Sequence, residues 1–342
     1  MTGPQPRAVA GSRADPSAIV RLSTAYWDSQ ILLTANRLRI FDVFADGPKS
    51  AAQVAEALHL DPRATALFLR ACAALGLLEE RERGFENSAA AATFLVARSP
   101  AYMGDAIRYS DQLYGTWGSL EEALRAGRPA LAPESYLGDD PARTRIFVQA
   151  MHGRALGIAR ALVSVLDLTG RRAMLDVGGG PGTYSVLLTE RFPGLRSEVL
   201  ELPGVAAVAR ELVAQAGASE RVEFRDGSYH TSDFGSDKDV VLMSGMFHRE
   251  TAQACRTLIE RAARCLIPDG LLVVSDVFTD EGGIQPTFAA LFGVNMMLTA
   301  QDGGVHSDSE VKRWMEGSGF RDVRVVPLPP PMPHRVVLGV KS

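Results

Sequence analysis

Apolar residues between Ser17 and Leu168 recur at helical spacing, with almost no strand-like alternation. Ile19, Leu22, Ala25, Tyr26, Ile31, Leu32 and Leu33 outline the first such stretch. Ser50-Ala51-Ala52-Gln53 is a capping-box pattern and predicts a short helix to Leu58. Asp61-Pro62 is an N-cap followed by proline at the first helical position, so a second helix should carry Leu67, Phe68, Cys72 and Leu75 and stop at Gly76. Leu77 to Glu80, a turn at Arg83-Gly84, and Phe85-Glu86 predict a small hairpin. Helix, turn, helix and hairpin together make a winged-helix unit. A long helix from Asp140-Pro141 to about Leu166 follows and has the length of a connector.

The pattern changes at Arg171. Short apolar runs begin at Ala173, Ser197, Val222, Asp239 and Leu271, and helix patterns lie between most of them. Pro268-Asp269-Gly270 is expected as a turn, and Val323–Val326 and Arg335–Val340 are strand-like. This alternation predicts an α/β domain, a mostly parallel, doubly wound Rossmann-like sheet, over residues 169–342. Before it come an all-α winged-helix domain over 17–168 and a loose tail over 1–16, rich in Gly, Pro and Ala.

Length and charge narrow the function. The 342 residues suffice for two domains and a large core. Net charge is −4, and the second helix of the winged unit offers only Arg63 and Arg70 to a nucleic acid, so DNA reading is disfavoured. No apolar run is long enough for a membrane span. Cys72, Cys255 and Cys265 sit among helical apolar residues, which fits reduced buried thiols in a cytoplasm.

Ligands of doubly wound sheets sit at the carboxyl ends of the strands, near the switch point. Candidates there are Gly178–Gly182, Glu201, the stretch Asp226–Tyr229 and Ser244–His248. The loop reads Asp176-x-Gly178-x-Gly180-x-Gly182, with Gly179 and Pro181 between. The dinucleotide fingerprint would need glycine where Thr183 stands, and no Lys-Ser/Thr follows, so it is neither that motif nor a P-loop. An acid followed by G-x-G-x-G at the end of a first strand resembles motif I of S-adenosylmethionine-dependent methyltransferases. Glu201 ends the second strand, where a carboxylate can accept from both ribose hydroxyls.

The resemblance extends along nearly the whole chain. Leu175-Asp176-Val177-Gly178-Gly179-Gly180, Glu201-Leu202-Pro203-Gly204-Val205, Gly227-Ser228-Tyr229, Pro268-Asp269-Gly270-Leu271-Leu272 and the Phe147/Met151 pair are similar to motifs of the small-molecule O-methyltransferases. That family includes caffeate, polyketide and phenazine enzymes with an N-terminal winged-helix dimerisation domain. The resemblance implies S-adenosylmethionine, a homodimer and a small, largely apolar acceptor. It places Asp176, Gly178, Gly179, Gly180, Gly182, Glu201, Leu202, Asp226, Ser228, Tyr229 and Ser244 at the cofactor. It places Met151, Phe288, Phe292, Met296 and Met297 at the acceptor, with Tyr109, Tyr114 and Trp117 as a further wall.

His248 aligns with the family's catalytic histidine. A phenol with a pKa near 10 needs a base at neutral pH, and a histidine near 6.5 suits that task. The surroundings depart from the family: His248-Arg249-Glu250 replaces H-D-W, and Ser244 stands where a Lys or Arg is usual. Asp276 replaces the orienting Glu, and Val305 falls where a second acid is expected. Asp276 or Glu250 is expected to hold the imidazole. Two alternatives stand beside O-methylation. One is methylation at carbon, with or without a metal on His248, His306 and an acid. The other is a winged-helix regulator that senses the cofactor. Arg145, Arg154 and Arg249 are equal candidates for an acidic substrate.

Overall fold

The computed structural model describes residues 15–131 and 140–342. Of the expected tail, only Asp15 and Pro16 lie among the described residues. The chain divides into two compact units, Met1–Gly104 and Asp105–Ser342.

The first unit holds α1 (Ser17–Thr24), α2 (Tyr26–Arg37), α3 (Ile40–Val43), α4 (Ala51–Leu58), α5 (Pro62–Ala74), the strands β1 (Leu78–Arg81) and β2 (Gly84–Asn87), and α6 (Ala89–Phe94). Its helix starts are those the caps dictate. Ser50 and Gln53 close a capping box on α4, and the Asp61 carboxylate accepts from Ala64 N at 2.7 Å on α5. The hairpin forms as expected, with Arg81 opposite Gly84, and Lys49 pairs with Phe85 as a third, single-residue rung. Ile40, Phe41, Val54, Leu69, Cys72, Leu78 and Phe85 make its core. Helix α1 has no buried residue, and Ile19, Val20, Leu22, Tyr26 and Trp27 are exposed.

The second unit opens with α7 (Gly104–Gly118), α8 (Leu120–Ala126) and α9 (Pro141–Val165). Then come β3 (Ala173–Val177), α10 (Thr183–Arg191), β4 (Arg196–Glu201), α11 (Pro203–Gln215), β5 (Val222–Asp226) and β6 (Lys238–Ser244). A 3₁₀ turn at Phe247–Arg249 leads to α12 (Ala252–Cys265), β7 (Leu266–Asp276), α13 (Thr287–Thr299), α14 (Asp308–Gly317), β8 (Phe320–Pro327) and β9 (Arg335–Lys341). The strand order is β5-β4-β3-β6-β7-β9-β8, parallel from β5 to β7, with β9 and β8 antiparallel at the edge. Successive residues of a strand feed opposite faces. Leu175, Val177, Val241, Met243, Leu272 and Val274 pack with Leu258, Ile259 and Met315 of α12 and α14. Met174, Val240, Leu242 and Val273 pack with Ala159, Leu162 and Leu188 of α9 and α10.

Two boundaries differ from expectation. Compactness divides the chain at Gly104/Asp105, not at 168/169, because α9 packs on α10 and α11 through Ala155, Ala159, Leu162 and Val148. Strand β7 begins at Leu266 rather than Leu271. The Pro268-Gly270 turn is taken up as an irregularity of the ladder opposite Lys238–Val240, with Asp269 at φ +61°. No helix among the described residues is long and apolar enough to cross a membrane.

Candidate active site

The chain leaves β3 for β4 and β5 on one side and returns to β6 on the other, so β3 is the switch point. The loop after β3 turns sharply. Gly178, Gly180 and Gly182 have φ of +63°, +54° and +74°, where a side chain is strained. Gly179 is required for a different reason: a Cβ there would lie 2.6 Å from the Asp176 carboxyl carbon and 2.8 Å from a Val199 methyl. Gly180 N donates to one Glu201 carboxylate oxygen at 2.8 Å, and Leu202 N to the other at 2.7 Å. Burial raises the Glu201 pKa, and these two bonds counter that rise. Each oxygen keeps a lone pair. The loop and Glu201 thus form a cradle of backbone and carboxylate, whose free acceptor lone pairs suit the vicinal hydroxyls of a nucleoside.

Asp176 does not face that cradle. It is fully buried, and its Oδ2 accepts from the Ser185 hydroxyl at 2.6 Å. Its expected place at the cofactor is therefore corrected: it braces the loop from beneath. Burial, chiefly, raises its pKa from 3.8 to about 7, against the bond from Ser185. Between those two values the folded chain holds a proton that the unfolded chain has released. This contribution therefore falls as pH rises from about 4 to about 7 and is level above. Asp176→Asn should remove the slope. Urea unfolding of both chains across that window should show the parent losing stability relative to the variant. A difference that does not change with pH would count against a neutral buried Asp176.

Other cofactor-side expectations separate. Asp226 is held at the surface by Arg210, 2.6 Å from its carboxylate. Ser228 opens the loop after β5, and its Oγ accepts from His230 N at 3.2 Å. The Tyr229 ring lies against the glycine loop, 3.2 Å from where a Cβ on Gly178 would stand. Leu202 caps α11 and packs with Val148 and Val205. Ser244 ends β6, and its buried hydroxyl has no hydrogen-bond partner among the described residues.

His248 sits in the 3₁₀ turn after β6. Its Nδ1 is 2.7 Å from Asp276 Oδ1, and its side chain is 14% exposed. Asp276 also accepts from Phe247 N at 2.8 Å and Val277 N at 2.7 Å. Burial pushes the Asp276 carboxyl up, but the charge and hydrogen bond of His248, the charge of His334 and the Val277 N–H together outweigh it, so its pKa is lowered. An ionised Asp276 fixes the proton on Nδ1 and leaves Nε2 as the acceptor. The Phe292 ring meets His248 edge-on at 5.0 Å and is stacked on Phe288 at 5.9 Å. Phe292 and Met296 are buried on α13, Met297 and the α9 residue Met151 are half-buried, and Phe288 is exposed. Trp117 Nε1 donates to Asn295 of α13 at 3.0 Å.

Glu250 does not reach His248. Its carboxylate accepts from the Tyr229 hydroxyl at 2.7 Å and lies 3.4 Å from His230 Nε2. That corrects its expected catalytic place. His306 turns away too: its Nε2 bonds the Glu250 carbonyl at 2.9 Å, and its ring packs on Trp314. The metal shell considered for His248 and His306 is not assembled, because the two rings face different partners.

Sequence reading missed a buried polar group behind this pair. His334 Nδ1 is 3.2 Å from Ser275 Oγ, and burial lowers the His334 pKa to about 4. His152 of α9 bonds Thr183 at 2.8 Å and ties the helix to the start of α10. His334 lies in a proline-rich loop with no motif to mark it, and a lone helical histidine such as His152 carries no signal.

Comparison with known proteins places this geometry in context. Residues 117–321 match the O-methyltransferase domain and residues 20–97 the O-methyltransferase dimerisation domain. A 3-hydroxy-5-methyl-1-naphthoate 3-O-methyltransferase of Streptomyces sahachiroi is 30% identical over 96% of each chain. The tetracenomycin polyketide synthesis 8-O-methyl transferase TcmO of Streptomyces glaucescens is 31% identical over 90% of this chain and 92% of its own. Among solved structures, an O-methyltransferase family protein from Burkholderia thailandensis superposes with a TM-score of 0.84 at 27% identity, covering 97% of this chain and 99% of that one.

Proposed function

The chain belongs to the O-methyltransferase family and is an S-adenosylmethionine-dependent O-methyltransferase, and from that premise we propose that it methylates a hydroxyl of an aromatic, polyketide-like metabolite with His248 as general base. The observation that carries this reading is the His248–Asp276 pair, set at the carboxyl ends of β6 and β7 and against the Phe292 ring of α13. Relatives named for a naphthoate and for tetracenomycin support a fused-ring acceptor.

S-adenosylmethionine supplies a methyl group activated on a sulfonium. Glu201 and the backbone of Gly178–Gly182 would hold and orient the nucleoside, with the Tyr229 ring against the same loop and its hydroxyl tied to Glu250. Phe292, Phe288, Met296, Met297 and Met151 line the acceptor and keep water from it. His248 takes the hydroxyl proton at Nε2 as the oxygen becomes nucleophilic, and Asp276 stabilises the imidazolium that results.

The first unit serves as the dimerisation domain, and its exposed α1–α2 residues Ile19, Val20, Leu22, Tyr26 and Trp27 are the surface we assign to a second copy. Cys72, Cys255 and Cys265 are free and buried, which supports a reducing, cytoplasmic location.

The test is release of S-adenosylhomocysteine by the purified protein given S-adenosylmethionine and a panel of hydroxylated naphthalenes, quinones and phenols, with the methylated atom located by NMR. Methyl on oxygen is expected. Methyl on carbon alone, or cofactor binding without transfer to any acceptor, would sink the reading.

A further inference from the structure

A cavity of about 310 Å³ lies where α9, α10 and α11 meet, and neither Glu201 nor His248 is in its walls. That volume is at the lower end of small-molecule sites. Thr183, Val186, Leu187 and Glu190 line it at the i, i+3, i+4, i+7 spacing of one helix face, so it follows α10 for roughly 10 Å. His152 and Leu156, one turn apart on α9, form a second wall, and Leu212 of α11 belongs to a third. The cavity shares Pro181 with the glycine loop.

Leu156, Val186, Leu187 and Leu212 are only half-buried, so apolar surface remains open to a ligand. These walls are aliphatic, unlike the stacked Phe288–Phe292 face of α13. A saturated chain can lie along them, whereas no ring is offered to stack a flat ligand.

The polar groups of the cavity differ in what they leave free. Arg221, just before β5, lines it, and its Nε is buried with no hydrogen-bond partner among the described residues. No carboxylate among those residues pairs with its guanidinium. A buried N–H donor without an acceptor is costly and uncommon in a folded chain. His152 does not compete as a cation. Its Nδ1 is taken by Thr183 Oγ1 at 2.8 Å, and burial lowers its pKa, so the ring is neutral at pH 7. Glu190 stands exposed at the rim, where solvent and salt screen its charge. The cavity thus combines an aliphatic trough with one partly desolvated guanidinium, which complements a carboxylate carrying a saturated tail.

We infer that this cavity is a binding site for an aliphatic carboxylic acid, with its chain on Leu156, Val186, Leu187 and Leu212 and its carboxylate on Arg221. The inference goes beyond the methyltransferase reading and does not depend on it, since the reacting groups lie outside these walls.

The test uses octanoate and its neutral analogue octanamide, neither of which carries a hydroxyl to methylate. Both are titrated into the full chain, saturated with S-adenosylhomocysteine and labelled with ¹⁵N in its six histidines. The ring signal that is missing from His152→Gln should shift with octanoate. Octanoate should bind more tightly than octanamide. Arg221→Met should lose about tenfold to a hundredfold in octanoate affinity, with octanamide unchanged and Arg221→Lys recovering part of the loss. Glu190→Gln should bind octanoate as tightly as the parent or more so, because a like charge has gone. Unchanged affinity for S-adenosylhomocysteine shows that each variant is folded. Equal affinities for octanoate and octanamide, or octanoate binding within twofold of the parent in Arg221→Met, would overturn the inference. So would octanoate binding that fails in Phe292→Ala and leaves the His152 signal in place, since the acid would then lie in the acceptor pocket. A parent chain that does not bind octanoate would overturn it as well, and would leave the methyltransferase reading untouched.

Discussion

His248→Ala will turn over about 10²–10⁴-fold more slowly than the parent chain, with affinity for S-adenosylhomocysteine little changed. The expected split follows from where the imidazole stands. It is bonded to Asp276 at Nδ1 and packed edge-on against Phe292, whereas Glu201 is bonded to the glycine loop at Gly180 N. Removing it deletes the proton acceptor and leaves the nucleoside cradle. Asp276→Asn is the companion variant. The amide can offer its NH₂ to Nδ1, which would leave the imidazole proton on Nε2, where the acceptor hydroxyl needs a base. The variant also weakens the acceptor for Phe247 N and Val277 N. It should therefore lose turnover on a scale comparable to His248→Ala, with some loss of thermal stability. Steady-state kinetics at saturating donor, with calorimetry for the product, would check both. Turnover of His248→Ala within twofold of the parent would remove His248 from the mechanism.

Glu201→Ala should fail at the other half of the reaction. Its two oxygens hold Gly180 N and Leu202 N, and the remaining lone pairs are those that meet the ribose hydroxyls. The alanine variant loses the ribose contacts and the brace on the loop together. Hydrogen bonds to a charged group contribute about 1.5–3 kcal/mol each, so the dissociation constant for S-adenosylhomocysteine should rise by roughly a hundredfold or more. Glu201→Gln keeps the shape and one carbonyl oxygen and should lose less. Unaltered affinity in Glu201→Ala would mean that the nucleoside lies elsewhere. The two sets of variants therefore move different constants: His248 and Asp276 the turnover, Glu201 the cofactor affinity.

What the sequence determined by itself was local or patterned. Ser50 with Gln53, Asp61 before Pro62, and the turn at Arg83-Gly84 specify their helices and hairpin through hydrogen bonds within a few residues. Gly178, Gly180 and Gly182 declare a left-handed path that only glycine takes freely, and alternating strand and helix patterns order the sheet. His248 was legible because the end of β6 must open at the switch-point edge. Side-chain partnership was decided only by the tertiary structure. Asp176 belongs to the motif, yet it is fully buried and takes the Ser185 hydroxyl, which in turn meets Ser197. Glu250 and Asp276 were both in position to hold the imidazole. The end of β7 brings Asp276 to Nδ1, while the loop after β5 brings Tyr229 to Glu250. Glu211 arrives from α11 to occupy Arg145, and Tyr109 from α7 brings its ring to Arg154. The physical reason is the same throughout. Caps and turns are satisfied by neighbours in the chain, whereas a buried charge takes whichever partner the packing of distant elements delivers, and that packing is a property of the whole core.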